Sequence, residues 1–321
     1  MFKLFTGSGN PKLGKQISKL INISLSPAEI IRFDNSEVRV TIQERVKNDT
    51  AVIIQPTSNP TDTNLMELFF FADALKRNGA KEIIAFIPYF GYARQNREHR
   101  QGEAVSMNVI NRFLEVIEIN KVFTINLHYD ASERFFSIPF KNLSALSILG
   151  RKVTYYLKNN KSKEDVVIVS PDQGGLERAR NFFNLFFSEV TGKQGRLNDY
   201  SRIAVIKKKR DLDHIHQSRA LALYGDVKNK TCILVDDIIT SGRTLINAAD
   251  FCLKKGAKRV IACVVHHDFS PEAPRILSQS RIEKIFTSNT ITLTAIQKFP
   301  QLCEISIASL IASEIKKLVY S

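Results

Sequence analysis

No apolar run in this 321-residue chain approaches the ~20 consecutive residues of a membrane-spanning helix. The best candidates, 65–75 and 305–311, both carry polar residues, which excludes a membrane protein. The opening stretch MFKLFTGSGNPKLGK reads as strand, turn and helix. It lacks the apolar core and small-residue cleavage site of a secretory leader. Cysteine is scarce: Cys232, Cys252, Cys263 and Cys303 have no CxxC spacing and lie in apolar runs. That pattern suits core thiols of a reducing compartment, here the cytoplasm, and not a disulfide frame or a zinc site. Acid is under-represented, with 32 Asp and Glu against 46 Lys and Arg, a net charge of +14. The basic residues are spread over the whole length, as on a solvated surface. A partner that uses the charge would be a polyanionic small molecule such as a nucleotide. A nucleic-acid reading rests on charge alone, with no binding motif beside it.

What the chain does contain is 44% hydrophobic residues, too many for disorder and enough for about two domains of ordinary size. Short Val- and Ile-rich runs such as 51–55, 166–170, 232–235 and 260–265 alternate with helix-period stretches such as 64–77, 106–117 and 244–254. Strand–helix alternation at this spacing predicts an α/β protein with mainly parallel sheets. Strands that are apolar throughout (AVII, VVIV, CILV) imply sheets covered by helices on both faces. Two halves meet near 139–144. Each has a strand that ends in polar or acidic residues and runs through a loop into a helix. Phe182, Phe183, Phe186 and Phe187 share one helix face, read as core, with a subunit interface as the alternative.

The segment Cys232-Ile-Leu-Val-Asp236-Asp237-Ile-Ile-Thr240-Ser241-Gly242-Arg243-Thr244 carries the clearest chemistry. Ligands of open α/β sheets sit at the carboxyl ends of strands. Here that end offers two carboxylates, then a hydroxyl- and glycine-rich turn into a helix. Backbone N–H groups of such a turn cradle a phosphate dianion. A carboxylate beside the cradle suits vicinal sugar hydroxyls. The chemistry therefore points to a sugar 5-phosphate. An ordinary capped turn accounts for the Thr and Gly residues but not for two consecutive acids in an apolar setting.

This segment also resembles the 5-phosphoribosyl-diphosphate motif of type I phosphoribosyltransferases and their relatives. Four further segments, in order, are similar to those of the ribose-phosphate diphosphokinases (PRPP synthetases). They are Arg32-Phe33-Asp34-Asn35-Ser36-Glu37, Pro88-Tyr-Phe-Gly-Tyr-Ala-Arg94-Gln95-Asn96-Arg97, Asn126-Leu127-His128, and Ser170-Pro171-Asp172-Gln173-Gly174-Gly175. The resemblance spans essentially the whole chain. It implies transfer of the β,γ-diphosphoryl group of ATP to the 1-hydroxyl of ribose 5-phosphate. By position, Phe33 would stack on adenine, with Asn35, Ser36 and Glu37 around the base. Arg94, Gln95 and Arg97 would hold the nucleotide, and Arg97 and Arg100 would lie on a mobile loop that closes over it. His128 and Asp172 would serve Mg²⁺ and the triphosphate. Asp236, Asp237, Thr240, Ser241, Gly242, Arg243 and Thr244 would bind ribose 5-phosphate. Lys208 and Arg210, with Arg100, would stabilise the transferring diphosphate at the start of a hairpin flap.

The resemblance implies two phosphoribosyltransferase-type domains, each a mainly parallel sheet flanked by helices. Residues 1–143 would form the first, with the ATP-binding segments and the mobile loop, and 306–321 would pack back on it. Residues 144–305 would form the second, with the sugar site. It further implies homo-oligomers, with a dimer as the unit and a hexamer as the assembly. Asn35, Asn96 and Asn126 stand where Asp is common, Gln173 where His is frequent, and the Thr240–Thr244 loop reads more like a transferase's. These departures keep two alternatives open: a non-catalytic regulatory homologue, and a phosphoribosyltransferase.

Overall fold

In the computed structural model, which describes residues 1–98, 100–159, 165–191, 200–208 and 220–319, the apolar runs become the strands of two sheets. The chain divides into two compact units, one of 1–144, 289–292 and 306–321, the other of 145–288 and 293–305. Among the described residues, no helix is long and apolar enough to cross a membrane.

The first unit runs β1 (Phe2–Thr6), α1 (Pro11–Ile21), the hairpin β2 (Ala28–Arg32) and β3 (Val38–Ile42), then β4 (Thr50–Ile54) and α2 (Thr61–Arg77). It continues with β5 (Glu82–Ile87), α3 (Ser106–Val116), β6 (Lys121–Ile125) and β7 (Phe140–Leu143). Its sheet is parallel, in the order β1-β4-β5-β6-β7, and β2 pairs only with β3. Asn10 starts α1 because its side-chain oxygen accepts the Leu13 N–H at 3.1 Å, with Pro11 preset in the first turn.

The second unit contains α4 (Leu146–Asn159), β8 (Val166–Ser170), α5 (Leu176–Thr191), β9 (Ile203–Lys208), β10 (Ala220–Tyr224) and β11 (Thr231–Ile239). Then come α6 (Arg243–Lys254), β12 (Arg259–His267), α7 (Ala273–Ser278), β13 (Lys284–Ser288) and β14 (Leu302–Ile305). The strand order is β10-β9-β8-β11-β12-β13-β14, parallel except for the β9–β10 hairpin. The core strands are buried on both faces, as the apolar run 166–169 of β8 requires. Phe182, Phe183 and Phe186 are buried here, so that face of α5 belongs to the core. The last helix, α8 (Ala308–Val319), returns to the first unit and packs on α1.

Four strands escape the hydrophobic pattern: β2, β7, β10 and β14. Three of them end a sheet and β2 lies in a two-stranded ribbon, so each is half solvated and carries little apolar signal.

Candidate functional site

Strand order locates the site in the second unit. From β8 the chain moves outward to β9, and from β11 it moves the other way to β12, so the order reverses between β8 and β11. A crevice outside the carboxyl ends opens at such a switch point. Asp172 follows β8 there, and Asp236 and Asp237 sit near the end of β11. Strand β11 runs four residues beyond the predicted 232–235, through the acid pair to Ile239, because β12 keeps pairing with it. Its partnership with β8 stops at Leu234, so the acids lie on an edge that β8 has already left.

The acids are held by a residue the sequence reading overlooked. Arg178, in the first turn of α5, places its Nη1 3.0 Å from Asp236 Oδ1 and its Nη2 3.2 Å from Asp237 Oδ1. The only signal was a basic residue three positions after the Gly174-Gly175 turn. Burial, with the charge and hydrogen bonding of Asp237, raises the Asp236 carboxyl well above the ordinary carboxylate range, and Arg178 opposes that rise. The Asp172 Oδ1 accepts the Gly175 N–H at 3.0 Å. A Cβ at position 175 would meet Ser170 Oγ at 2.7 Å, so only glycine allows this close approach.

After Asp237 the chain turns through Thr240 and Ser241 to Gly242, which adopts φ 74° directly before α6. No side chain caps this helix, so its first-turn N–H groups lack a side-chain acceptor; Thr240 and Ser241 precede its start and Thr244 lies in its first turn. The first unit has a similar strand–loop–helix at Gly7–Asn10, but its donors are already taken. Ser8 N–H donates to Glu67 Oε1 at 2.6 Å and Gly9 N–H to Gln55 Oε1 at 3.0 Å, with Glu67 fully buried. One loop is plugged by its own carboxylate; the other presents donors.

Elsewhere in the first unit, Arg94, Gln95 and His128 line one cavity of about 560 Å³ together with Thr61, Tyr89 and Tyr92. The fold thus unites two of the predicted nucleotide residues with His128, one of the two predicted metal residues; the other, Asp172, is not among the lining residues. Of the three other lining residues, Tyr89 and Tyr92 fall within the 88–97 segment without having been singled out, and Thr61 carried no sequence signal. Tyr92 takes φ 63°, and its hydroxyl donates to the Asp62 carboxylate, which raises the phenol above its usual pKa. Gln95 is oriented by the Ser106 hydroxyl, 2.7 Å from its Oε1.

Phe33, Asn35, Ser36 and Glu37 form the exposed turn between β2 and β3 and are not among the residues lining the cavity. The Asn35 side chain accepts the Glu37 N–H, and the Arg39 guanidinium lies over the Phe33 ring. Arg97 and Arg100 are exposed on 88–105, where the described residues form turns without helix or strand. Lys208 ends β9 opposite Ala220 of β10. Arg210 lies outside the described residues.

A family model for the N-terminal domain of ribose phosphate pyrophosphokinase matches residues 2–117, and one for the phosphoribosyl transferase domain matches 140–295. The chain is 36% identical over 317 residues to a ribose-phosphate pyrophosphokinase of Clostridium tetani, covering 98% of this chain and 93% of that one. It is 39% identical over 291 residues to one of Thermosipho africanus, covering 90% and 86%. A crystal structure of phosphoribosylpyrophosphate synthetase from Mycobacterium smegmatis superposes with a TM-score of 0.88 at 31% identity, over 99% of each chain.

Proposed function

The chain belongs to the ribose-phosphate pyrophosphokinase family, and from that premise we propose how its own residues carry the reaction. The activity is transfer of the β,γ-diphosphoryl group of ATP to the 1-hydroxyl of ribose 5-phosphate, giving PRPP and AMP. The observation that most supports a sugar 5-phosphate in the second unit is the acid pair beside the uncapped start of α6. The 5-phosphate would take the N–H groups of Gly242–Thr244 and the hydroxyls of Thr240, Ser241 and Thr244. Asp236 and Asp237 would accept the ribose hydroxyls, fixing which way the sugar presents its 1-hydroxyl.

In the first unit, Arg94 and Gln95 would hold the triphosphate in the cavity they share with His128. The Phe33 ring, already exposed on its hairpin turn, would stack on the base, with Asn35, Ser36 and Glu37 at its edge. Phosphoryl transfer asks mainly for positioning and charge neutralisation. Arg97, Arg100, Lys208 and Arg210 would provide the cations, and the guanidinium forks suit phosphate oxygens.

The donors suit magnesium in the way that ion is usually held. Among the described residues no cluster of three or more His, Cys, Asp or Glu could form an all-protein cage. Mg²⁺ normally takes one or two carboxylates and fills its shell with phosphate oxygens and water. Asp172, steered by the Gly175 N–H, is such a carboxylate, and His128 lines the nucleotide cavity. When bound, the ion would neutralise the phosphate oxygens.

Phosphorus NMR of the protein with ATP, ribose 5-phosphate and Mg²⁺ tests the reading. AMP appearing together with a 1-diphosphorylated sugar is the expected outcome. ATP that stays intact across phosphate and metal concentrations overturns it in favour of a non-catalytic regulatory homologue.

A further inference from the structure

We propose that Arg178 is the positioning residue of the sugar site: its guanidinium bridges Asp236 and Asp237 and sets both carboxylates for the ribose hydroxyls. This rests on the assignment of the acid pair to ribose 5-phosphate.

Neighbouring residues of a strand point to opposite faces. Asp236 and Asp237 are consecutive in β11, so two sugar hydroxyls could not ordinarily reach both. Arg178 touches both because the pairing of β11 with β8 ends at Leu234 and the edge beyond is open. Helix α5 begins just after β8 and delivers the side chain to that edge. A second contact fixes one member of the pair, since the Asp237 backbone N–H donates to Asp236 Oδ1 at 2.9 Å.

The setting is half-dry. Side-chain exposures are 16% for Arg178, 21% for Asp236 and 6% for Asp237. Two adjacent carboxylates with so little water repel each other and favour a shared proton. A proton on either acid turns a hydroxyl acceptor into a donor. The guanidinium relieves that repulsion and, as a rigid fork, holds two oxygens at fixed spacing. Lysine is a single point charge and could neutralise the pair without holding both. Room for the fork comes from Gly175, where a Cβ would stand 3.3 Å from the Arg178 Nη1. That same glycine's N–H holds Asp172, so one turn orients the carboxylates on both sides of the switch point.

The test is steady-state kinetics of the full chain and of R178M, R178K and D236N, with thermal melting of each. R178M is expected to raise the KM for ribose 5-phosphate roughly tenfold, the scale of one charged hydrogen bond, with the KM for ATP within about twofold. R178K is expected to fall between R178M and the parent. On the D236N background R178M should add less than it does alone, because the two act on one oriented pair. A parental ribose 5-phosphate KM in both Arg178 variants overturns the proposal, as does an equal rise for both substrates. Should R178M not fold, R178K decides by the same criterion. D236N separates the two claims. If D236N binds ribose 5-phosphate like the parent, the sugar assignment itself is wrong. If D236N loses the sugar and the Arg178 variants do not, only the role of Arg178 falls.

Discussion

The Lys141 Nζ lies 2.7 Å from Glu314 Oε2, joining β7 to α8 across 173 residues of sequence. This contact, with the packing of α8 on α1, makes the C-terminal helix part of the first unit. Burial by itself would raise the Glu314 carboxyl, but hydrogen bonds from Lys141 and Lys317 outweigh it and the net shift is downward. A depressed carboxyl stabilises the fold above its unfolded pKa and loses that contribution as pH falls through the folded value. Glu314→Gln should therefore cost roughly 1 kcal/mol near neutrality, discounted because Lys141 is half exposed. Thermal melts checked at neutral and strongly acid pH should show the difference between variant and parent shrinking in acid.

His267 gives the second unit an acid sensitivity of the same sign, from a base held neutral instead of an acid held charged. The ring is buried at the end of β12, and desolvation, with the neighbouring His266, lowers its pKa to about 4. The unfolded chain binds that proton near 6.5, so stability is full above 6.5 and drains away as pH falls toward 4. The loss should approach roughly 3 kcal/mol. Urea unfolding followed from pH 7 to pH 4.5 should show it in the parent and much less in His267→Gln. Equal slopes in the two proteins would rule this cause out.

Gly242→Ala should damage the proposed phosphate loop and the fold around it together. The residue sits at φ 74°, and a Cβ there would come within 2.9 Å of Leu277 Cγ. Left-handed backbone at a non-glycine residue costs about 1–3 kcal/mol. The expected result is a lower melting temperature and a raised KM for ribose 5-phosphate, with the KM for ATP little changed.

Lys208→Ala should act on turnover. In its proposed role Lys208 would act on the transferring diphosphate, and a cation there would bind the transition state more than the ground state. Its removal should lower kcat by about 10²–10³-fold, as loss of one preorganised donor does elsewhere. ATP affinity, measured by calorimetry, should stay within a few-fold. Equal losses in both would place the catalytic cation elsewhere.

Much of this protein is written in local pattern. The runs AVII, VVIV and CILV determined the central strands because a strand buried on both faces must be apolar at every position. Asp236 through Thr244 made a sugar-phosphate site an expectation because two acids and a hydroxyl-glycine turn are a local constellation, readable without any partner. Tertiary structure alone decided the rest. Edge strands β7, β10 and β14 exist because a neighbour supplies half their hydrogen bonds. Strand β11 carries its acids to the rim of the sheet because β12 continues beside it and β8 does not. The cavity of Arg94, Gln95 and His128 joins the ends of different strands. The clasp of Arg178 on Asp236 and Asp237 spans 58 residues of chain. No periodicity encodes a contact of that kind, since it depends on where α5 begins once the sheet has formed.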